Sequence, residues 1–198
     1  MTRQFEEFQL DHFTPTDIIG VDSRGRTKTR HIMLPDAEAT QAHNIALKRM
    51  YADGLVDDPW AIGGMPGESL INNILPHKDN SEFYLLDIED AFSQVSIVKL
   101  KEMFAEMFDM DLFDHETLDY YTEFLDTYAS SYRARGLPQG APCSPYLFNL
   151  YCQPMDYELG KFCDQNQLTY TRWLDDITVS SPAGDNLLGP AARKGAGA

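Results

Sequence analysis

The stretch Tyr170-Thr171-Arg172-Trp173-Leu174-Asp175-Asp176-Ile177-Thr178-Val179 constrains the fold more than any other. Two apolar, β-favouring runs are interrupted by adjacent acids. This predicts strands over about 168–174 and 177–181, joined by a tight hairpin with Asp175-Asp176 at its tip. A second stretch, Phe83-Tyr84-Leu85-Leu86-Asp87-Ile88-Glu89-Asp90-Ala91-Phe92, carries an almost continuous apolar run into Asp87. It predicts a strand over 82–87 buried on both faces, with a helix beginning near Glu89–Ala91. The third, Gly136-Leu137-Pro138-Gln139-Gly140-Ala141-Pro142-Cys143-Ser144-Pro145, is a Gly/Pro loop opening a strong helix from Tyr146 to Phe162. Pro145 suits the first turn of that helix.

Each acidic signal has a plain structural reading alone. An aspartate at a strand end is usually a cap, and an Asp-Asp pair in a turn is usually just a turn. Together they say more. If the three strands share one sheet, Asp87, Asp175 and Asp176 converge at one edge, where bare carboxylates repel and take up protons. Divalent cations relieve that repulsion. Mg²⁺ is commonly held by one or two carboxylates plus substrate phosphates. Two such ions, ~3.5–4 Å apart, activate an attacking oxygen and stabilise a leaving one.

The rest of the chain is read in order. Residues 1–20 give a weak helix or strand signal. Asp22 to Arg30 reads as a basic hairpin with Gly25 at its turn, and four of the chain's sixteen bases lie within 24–30. His31 to Pro35 continues as a short strand. Asp36 to Asp53 has helical spacing, with Gly54 as its stop. Trp60 to Gly67 is a loop by composition, and Glu68 to His77 a short helix. Two further helices are expected over about 98–109 and 115–133. The segment from Gly189 to Ala198 is Gly/Ala-rich without periodicity and reads as flexible.

The formal charge of the 198-residue chain is −15, the wrong sign for a self-sufficient nucleic-acid binder. Residues 101–126 hold nine acids and one base, so that excess is expected on a solvated outer helical face. Cys143, Cys152 and Cys163 fit no common zinc spacing and read as free thiols. No run approaches a membrane span and no signal core opens the chain, so a cytoplasmic location is the expectation.

These stretches resemble the fingers and palm of a reverse transcriptase, closest to the bacterial group that includes retron and group II intron enzymes. Asp87-Ile88-Glu89-Asp90-Ala91-Phe92 is similar to the family's motif A, Gly136–Pro145 to motif B and Asp175-Asp176 to motif C. The basic stretch through Arg30 with Pro35 resembles the fingers hairpin. Gly63-Gly64-Met65-Pro66-Gly67-Glu68-Ser69, followed by His77, resembles the segment preceding motif A. The likeness covers roughly 24–181.

The resemblance implies an α+β fold: an antiparallel palm sheet backed by helices, with fingers over 1–80, palm over 81–182, a flexible tail over 183–198 and the thumb absent. It implies that Asp87 and Asp175 bind two Mg²⁺ ions, with Mn²⁺ able to substitute, Asp176 as an accessory ligand and the Ile88 carbonyl as a further contact. Lys28, Arg30, Ala91, Phe92, Gln139 and Gly140 would contact the nucleotide, Phe92 excluding a 2′-hydroxyl. Trp173 and Leu174, where the family usually has Tyr and Ala, would lie near the primer end. The implied partners are an RNA template, a DNA or RNA primer and a deoxynucleoside triphosphate, with a protein or RNA completing the thumb and no membrane. Weak processive synthesis is expected of this chain alone. The alternatives are a reverse-transcriptase-like defence protein that extends DNA without a template, a non-catalytic remnant acting as a binding module, and a generic acidic α/β domain.

Overall fold

The computed structural model describes residues 13–21, 25–110, 114–131 and 136–182. They form two compact units, one from the chain up to Val56 together with Asp90–Tyr151, the other from Asp57–Glu89 together with the chain from Cys152 onward. Both mix helix with antiparallel sheet. Expectations for the first twelve residues and for the tail over 183–198 lie outside the described residues.

In the first unit, β1 (Phe13–Val21) and β2 (Thr27–Pro35) pair antiparallel from Phe13↔Pro35 to Val21↔Thr27. The expected basic hairpin is therefore longer than its basic residues. Gly25, at φ 76°, supplies the left-handed backbone that other residues rarely adopt near this turn. Helix α1 (Ala37–Ala52) starts where Asp36 accepts from the amides of Glu38 and Ala39, satisfying two of the unpaired donors of its first turn. It ends at Asp53, and Gly54 turns away at φ 63°.

Helices α3 (Ile97–Asp109) and α4 (His115–Ser131) pack on each other. Phe104 and Tyr121 stack there at 5.0 Å between centroids. Their acids face outward: Glu102, Glu106, Asp109, Asp114, Glu116, Asp119 and Asp126 are exposed, as the charge distribution predicts. The helix expected near Glu89–Ala91 is instead a short 3₁₀ turn, Ala91–Gln94, entered through Asp90 at φ 50°. A left-handed residue cannot continue an α-helix, so α3 starts afresh after its Ser96 cap.

In the second unit, β3 (Glu82–Asp87), β4 (Thr169–Trp173) and β5 (Asp176–Ser181) form one antiparallel sheet in the order β3-β5-β4. Helix α5 (Ser144–Gln165) lends its C-terminal half to one face. There Cys163, Met155 and Leu159 pack with Tyr170, Ile177, Val179 and Trp60. The other face carries α2 (Leu70–Ile74), capped by Ser69, and a 3₁₀ turn ending in His77. The buried His77 ring bonds Ser180 Oγ at 2.5 Å and Thr171 Oγ1 at 2.8 Å.

A further expectation fails. β3 is not buried on both faces: Phe83 is 52% and Leu85 70% exposed. The covering elements pack over β4 and β5 more than over β3. Among the described residues β3 is an edge strand, bonded only to β5, and an apolar run cannot distinguish edge from centre.

Candidate active site

The β4–β5 hairpin is as tight as expected but its turn lies one residue earlier, and this moves one aspartate. Trp173 pairs with Asp176, so the connecting turn is Leu174-Asp175 and Asp176 is the first residue of β5, not part of the tip. Leu174 adopts φ 55°. Two-residue hairpin turns need positive φ to match strand twist, and glycine is favoured where it occurs. A leucine there costs about 1–2 kcal/mol of backbone strain, so the surroundings must hold it.

They hold it from two sides. The loop at Trp60–Gly63 lies along β4: Arg172 N–H donates to the Trp60 carbonyl at 2.8 Å, and the Ile62 and Gly63 amides donate to the Arg172 carbonyl at 2.9 and 3.3 Å. A Cβ on Gly63 would stand 2.7 Å from Leu174 N and 2.8 Å from Trp173 Cα. Only glycine lets this loop lie against the turn. From below, Arg172 Nη1 donates to the Leu174 carbonyl at 2.9 Å.

The backbone brings the three expected acids to the same end of the sheet. Asp87 and Asp176 are direct partners across the β3–β5 ladder. The amide of Ile88 donates to the Asp175 carbonyl at 3.0 Å, pinning the turn to the end of β3. Asp87 and Asp176 are exposed and Asp175 is half-buried. Residues directly opposite have Cβ atoms ~4.5–5.5 Å apart, and like charges so placed destabilise a sheet. Trp173, opposite Asp176 on its other side, shares that sheet face.

Among the described residues no group of three or more His, Cys, Asp or Glu side chains is placed to hold a metal ion by itself. The carboxylates at this end of the sheet are hard oxygen donors. Such a set suits Mg²⁺, which keeps much of its shell for water and substrate phosphates. It does not suit zinc, which prefers nitrogen and sulfur.

The other expected residues belong to the first unit. The Leu137 amide donates to the Phe92 carbonyl at 2.7 Å, and the Met33 amide to the Gln139 carbonyl at 2.9 Å. The Gly/Pro loop therefore ties Phe92 to strand β2. Gly136 (φ 78°) and Gly140 (φ 103°) make this possible. A Cβ on Gly136 would fall 2.3 Å from the Phe92 carbonyl oxygen, and one on Gly140 3.0 Å from that of Met33. The Phe92 ring is half-buried and stacks on Phe148 at 5.0 Å, while Ala91 is buried. Gln139 is half-buried and Arg30 exposed on β2. Lys28 lies on β2, its side chain outside what the structure describes. The three cysteines are free and buried, and burial raises each thiol, Cys152 to about 11.

Sequence reasoning missed the buried ionic assembly under the turn. Asp156 of α5 accepts from Arg172 Nε at 2.9 and 3.0 Å, from Nη2 at 2.5 Å and from the Tyr170 hydroxyl. Arg172 and Asp156 are both fully buried. Asp58 shapes the adjacent loop, its Oδ1 accepting from the amides of Trp60 and Ala61 at 2.9 and 3.2 Å. Burial, then the hydrogen bond to Asp156, raises the Asp58 carboxyl to about 7. The sequence signal was an arginine inside a strand otherwise free of charge.

Comparison with known proteins identifies the family. The family described as reverse transcriptase (RNA-dependent DNA polymerase) matches residues 21–191. The retron Ec86 reverse transcriptase of Escherichia coli is 30% identical over 168 residues, covering 83% of this chain and 48% of that protein. The retron Ec83 reverse transcriptase of the same species is 27% identical over 129 residues, 65% of this chain and 41% of the relative. The retron Mx162 reverse transcriptase of Myxococcus xanthus is 28% identical over 128 residues, 61% of this chain and 26% of the relative. The chain thus spans about half the length, or less, of these curated relatives. Among solved structures, telomerase from Candida albicans in complex with a TWJ fragment of telomeric RNA aligns at a TM-score of 0.47, with 11% identity, over 87% of this chain and 39% of that one. Among the described residues no helix is long and apolar enough to cross a membrane.

Proposed function

The chain belongs to the reverse transcriptase family, and from that premise we propose that it carries the nucleotidyl-transfer centre of an RNA-directed DNA polymerase. The observation that supports this most is the ladder partnership of Asp87 with Asp176, closed by the Ile88–Asp175 hydrogen bond. Acids distant in sequence are brought to one sheet edge, where like charges destabilise unless a cation is shared. In this reading Asp87 and Asp175 are the main ligands, with Asp176 and the Ile88 carbonyl completing the protein's share. The cation is Mg²⁺, with Mn²⁺ able to substitute. When bound, such ions lower the charge on the reacting oxygens.

The reaction is in-line attack of a primer 3′-hydroxyl on the α-phosphate of a deoxynucleoside triphosphate, opposite an RNA template, with pyrophosphate leaving. The protein contributes position. β3 and β5 fix Asp87 and Asp176, and the Ile88 amide fixes Asp175. Trp173 and Leu174 line the primer end. In the first unit, Arg30 and Lys28 contact the triphosphate through charge-assisted hydrogen bonds. Gln139 and Gly140 contact the nucleotide. Ala91 supports Phe92, whose ring, stacked on Phe148, rejects a 2′-hydroxyl. Residues 1–80 serve as fingers and 81–182 as palm, in the cytoplasm.

The test is single-nucleotide extension of a DNA primer on an RNA template with Mg²⁺ or Mn²⁺, alongside Mn²⁺ binding followed by electron paramagnetic resonance. Incorporation and Mn²⁺ binding that both vanish in D175N are expected. Equal incorporation without RNA would move the reading to template-independent synthesis. Neither incorporation nor Mn²⁺ binding would leave only a binding module.

A further inference from the structure

Arg172 and Asp156 form an ion pair with no exposed surface. Removing both ions from water costs more than a surface pair does, and such a pair often adds little net stability over apolar replacements. Its geometry points elsewhere. Asp156 takes Nε and Nη2 of the guanidinium, while the Tyr170 hydroxyl bonds the same carboxylate and fixes its rotamer. The backbone of Arg172 is locked on both sides of its peptide by Trp60, Ile62 and Gly63. With backbone and fork both fixed, Nη1 reaches the carbonyl of Leu174 at 2.9 Å. Leu174 is the left-handed residue immediately before Asp175.

We propose that Arg172, braced by Asp156, is a positioning residue that holds the Leu174-Asp175 turn in its left-handed form and thereby sets where Asp175 and Asp176 stand. The proposal rests on the polymerase reading for its consequence, though not for the clamp itself. The chemistry requires arginine. One planar group must grip a carboxylate with two nitrogens and a backbone carbonyl with a third, in fixed directions. A lysine ammonium retains the charge but has a single nitrogen and no fork.

The experiment compares the parent chain with R172K, D156N and the double variant R172K/L174G. Amide hydrogen exchange is read across β4 and β5, and Mn²⁺ affinity by paramagnetic resonance. For R172K, exchange at residues 174–176 should quicken about tenfold or more, with Thr178 and Val179 unchanged. Its Mn²⁺ affinity should fall about tenfold with far-ultraviolet circular dichroism preserved. Glycine accepts positive φ without a clamp, so R172K/L174G should regain part of that affinity. A merely structural ion pair would quicken exchange evenly through the second unit, and L174G would restore nothing; that result overturns the proposal, as does no change at all. Should R172K not fold, D156N carries the test, because it leaves Arg172 an acceptor oxygen but loosens the brace: acceleration confined to the turn supports the clamp, and uniform or absent acceleration refutes it. A parent chain that binds no Mn²⁺ sinks the polymerase reading and the consequence for the metal ligands, while the exchange data still decide the clamp.

Discussion

Asp87 and Asp176, 89 positions apart in the chain, are direct partners across the β3–β5 ladder. Neither is a turn residue or a helix cap. A sheet that sets two carboxylates opposite each other gives up stability at that edge, and an edge strand does so where solvent and ligands have access. The relationship therefore bears on chemistry more than on folding.

Neutralising one of these acids should separate the two contributions. In D87N and D176N the like-charge opposition is gone, so thermal stability without divalent cation should be equal to or slightly above that of the parent. Nucleotide incorporation should fall by at least ~100-fold, equivalent to about 2.7 kcal/mol of transition-state stabilisation. Calorimetry and a single-turnover extension assay on the same preparations check both. Retained incorporation would remove these acids from the site.

Gly63 should tolerate no side chain. A methyl group would stand within 2.9 Å of three backbone atoms of Trp173 and Leu174, and backbone cannot swing aside as a side chain can. G63A is expected to destabilise the second unit by ~1–3 kcal/mol, as overpacking does, and to lower incorporation through the displaced turn. By contrast, G67A meets nothing within 4 Å and should show only the smaller strain of φ 79°. Denaturant unfolding of the two variants gives the comparison.

Asp58 should impose a pH dependence of its own. Its carboxyl is raised from 3.8 to about 7 in the folded state, by burial first and then by its hydrogen bond to Asp156. The folded chain therefore keeps this proton in a range where the unfolded chain has lost it. Stability falls as pH rises from about 4 to about 7, and the penalty is complete above that. D58N retains the acceptor for Trp60 and Ala61 without a charge to bury. It should melt ~3–6 °C above the parent at pH 8, from an effect on the order of 1–2 kcal/mol, and lose that advantage by pH 5. A melting difference independent of pH would contradict the assignment.

His43 provides the opposite slope in the first unit. It is fully buried, and burial lowers its pKa from 6.5 to about 4. The stability it contributes is complete above about 6.5 and lost as pH falls toward 4, because the unfolded imidazole protonates first. H43F, which still stacks between Phe13 and Phe124, should flatten the acid limb of the unfolding profile between those values. An unchanged acid limb would assign it to other groups.

If Phe92 sets sugar choice, F92A should raise ribonucleotide relative to deoxynucleotide incorporation by roughly tenfold, about 1.4 kcal/mol of lost discrimination. Phe92 also packs on Phe148, so total activity should fall with it. The ratio, measured with matched nucleotide pairs, tests the steric role. A fall in activity at constant ratio would make Phe92 a core residue.

Local chemistry made much of this protein legible before folding was considered. The cap at Asp36 and the stop at Gly54 bound α1 within a residue of expectation, because capping and left-handed backbone depend on neighbours in sequence. The acidic hairpin, the Gly/Pro loop and the strand ending in Asp87 were legible for the same reason. What the tertiary structure decided is everything that depends on distant partners. Among the described residues β3 is an edge strand because β4 took the other side of β5, a choice its own apolar run does not encode. Asp176 left the hairpin tip because the Gly63 loop and the Arg172 side chain favour a turn that Leu174 would not adopt alone. Asp156 gave no sign of itself in a helix of mixed composition. Its role exists only once Arg172, sixteen positions away, is buried against it, and a buried charge needs its counter-charge wherever the chain places it.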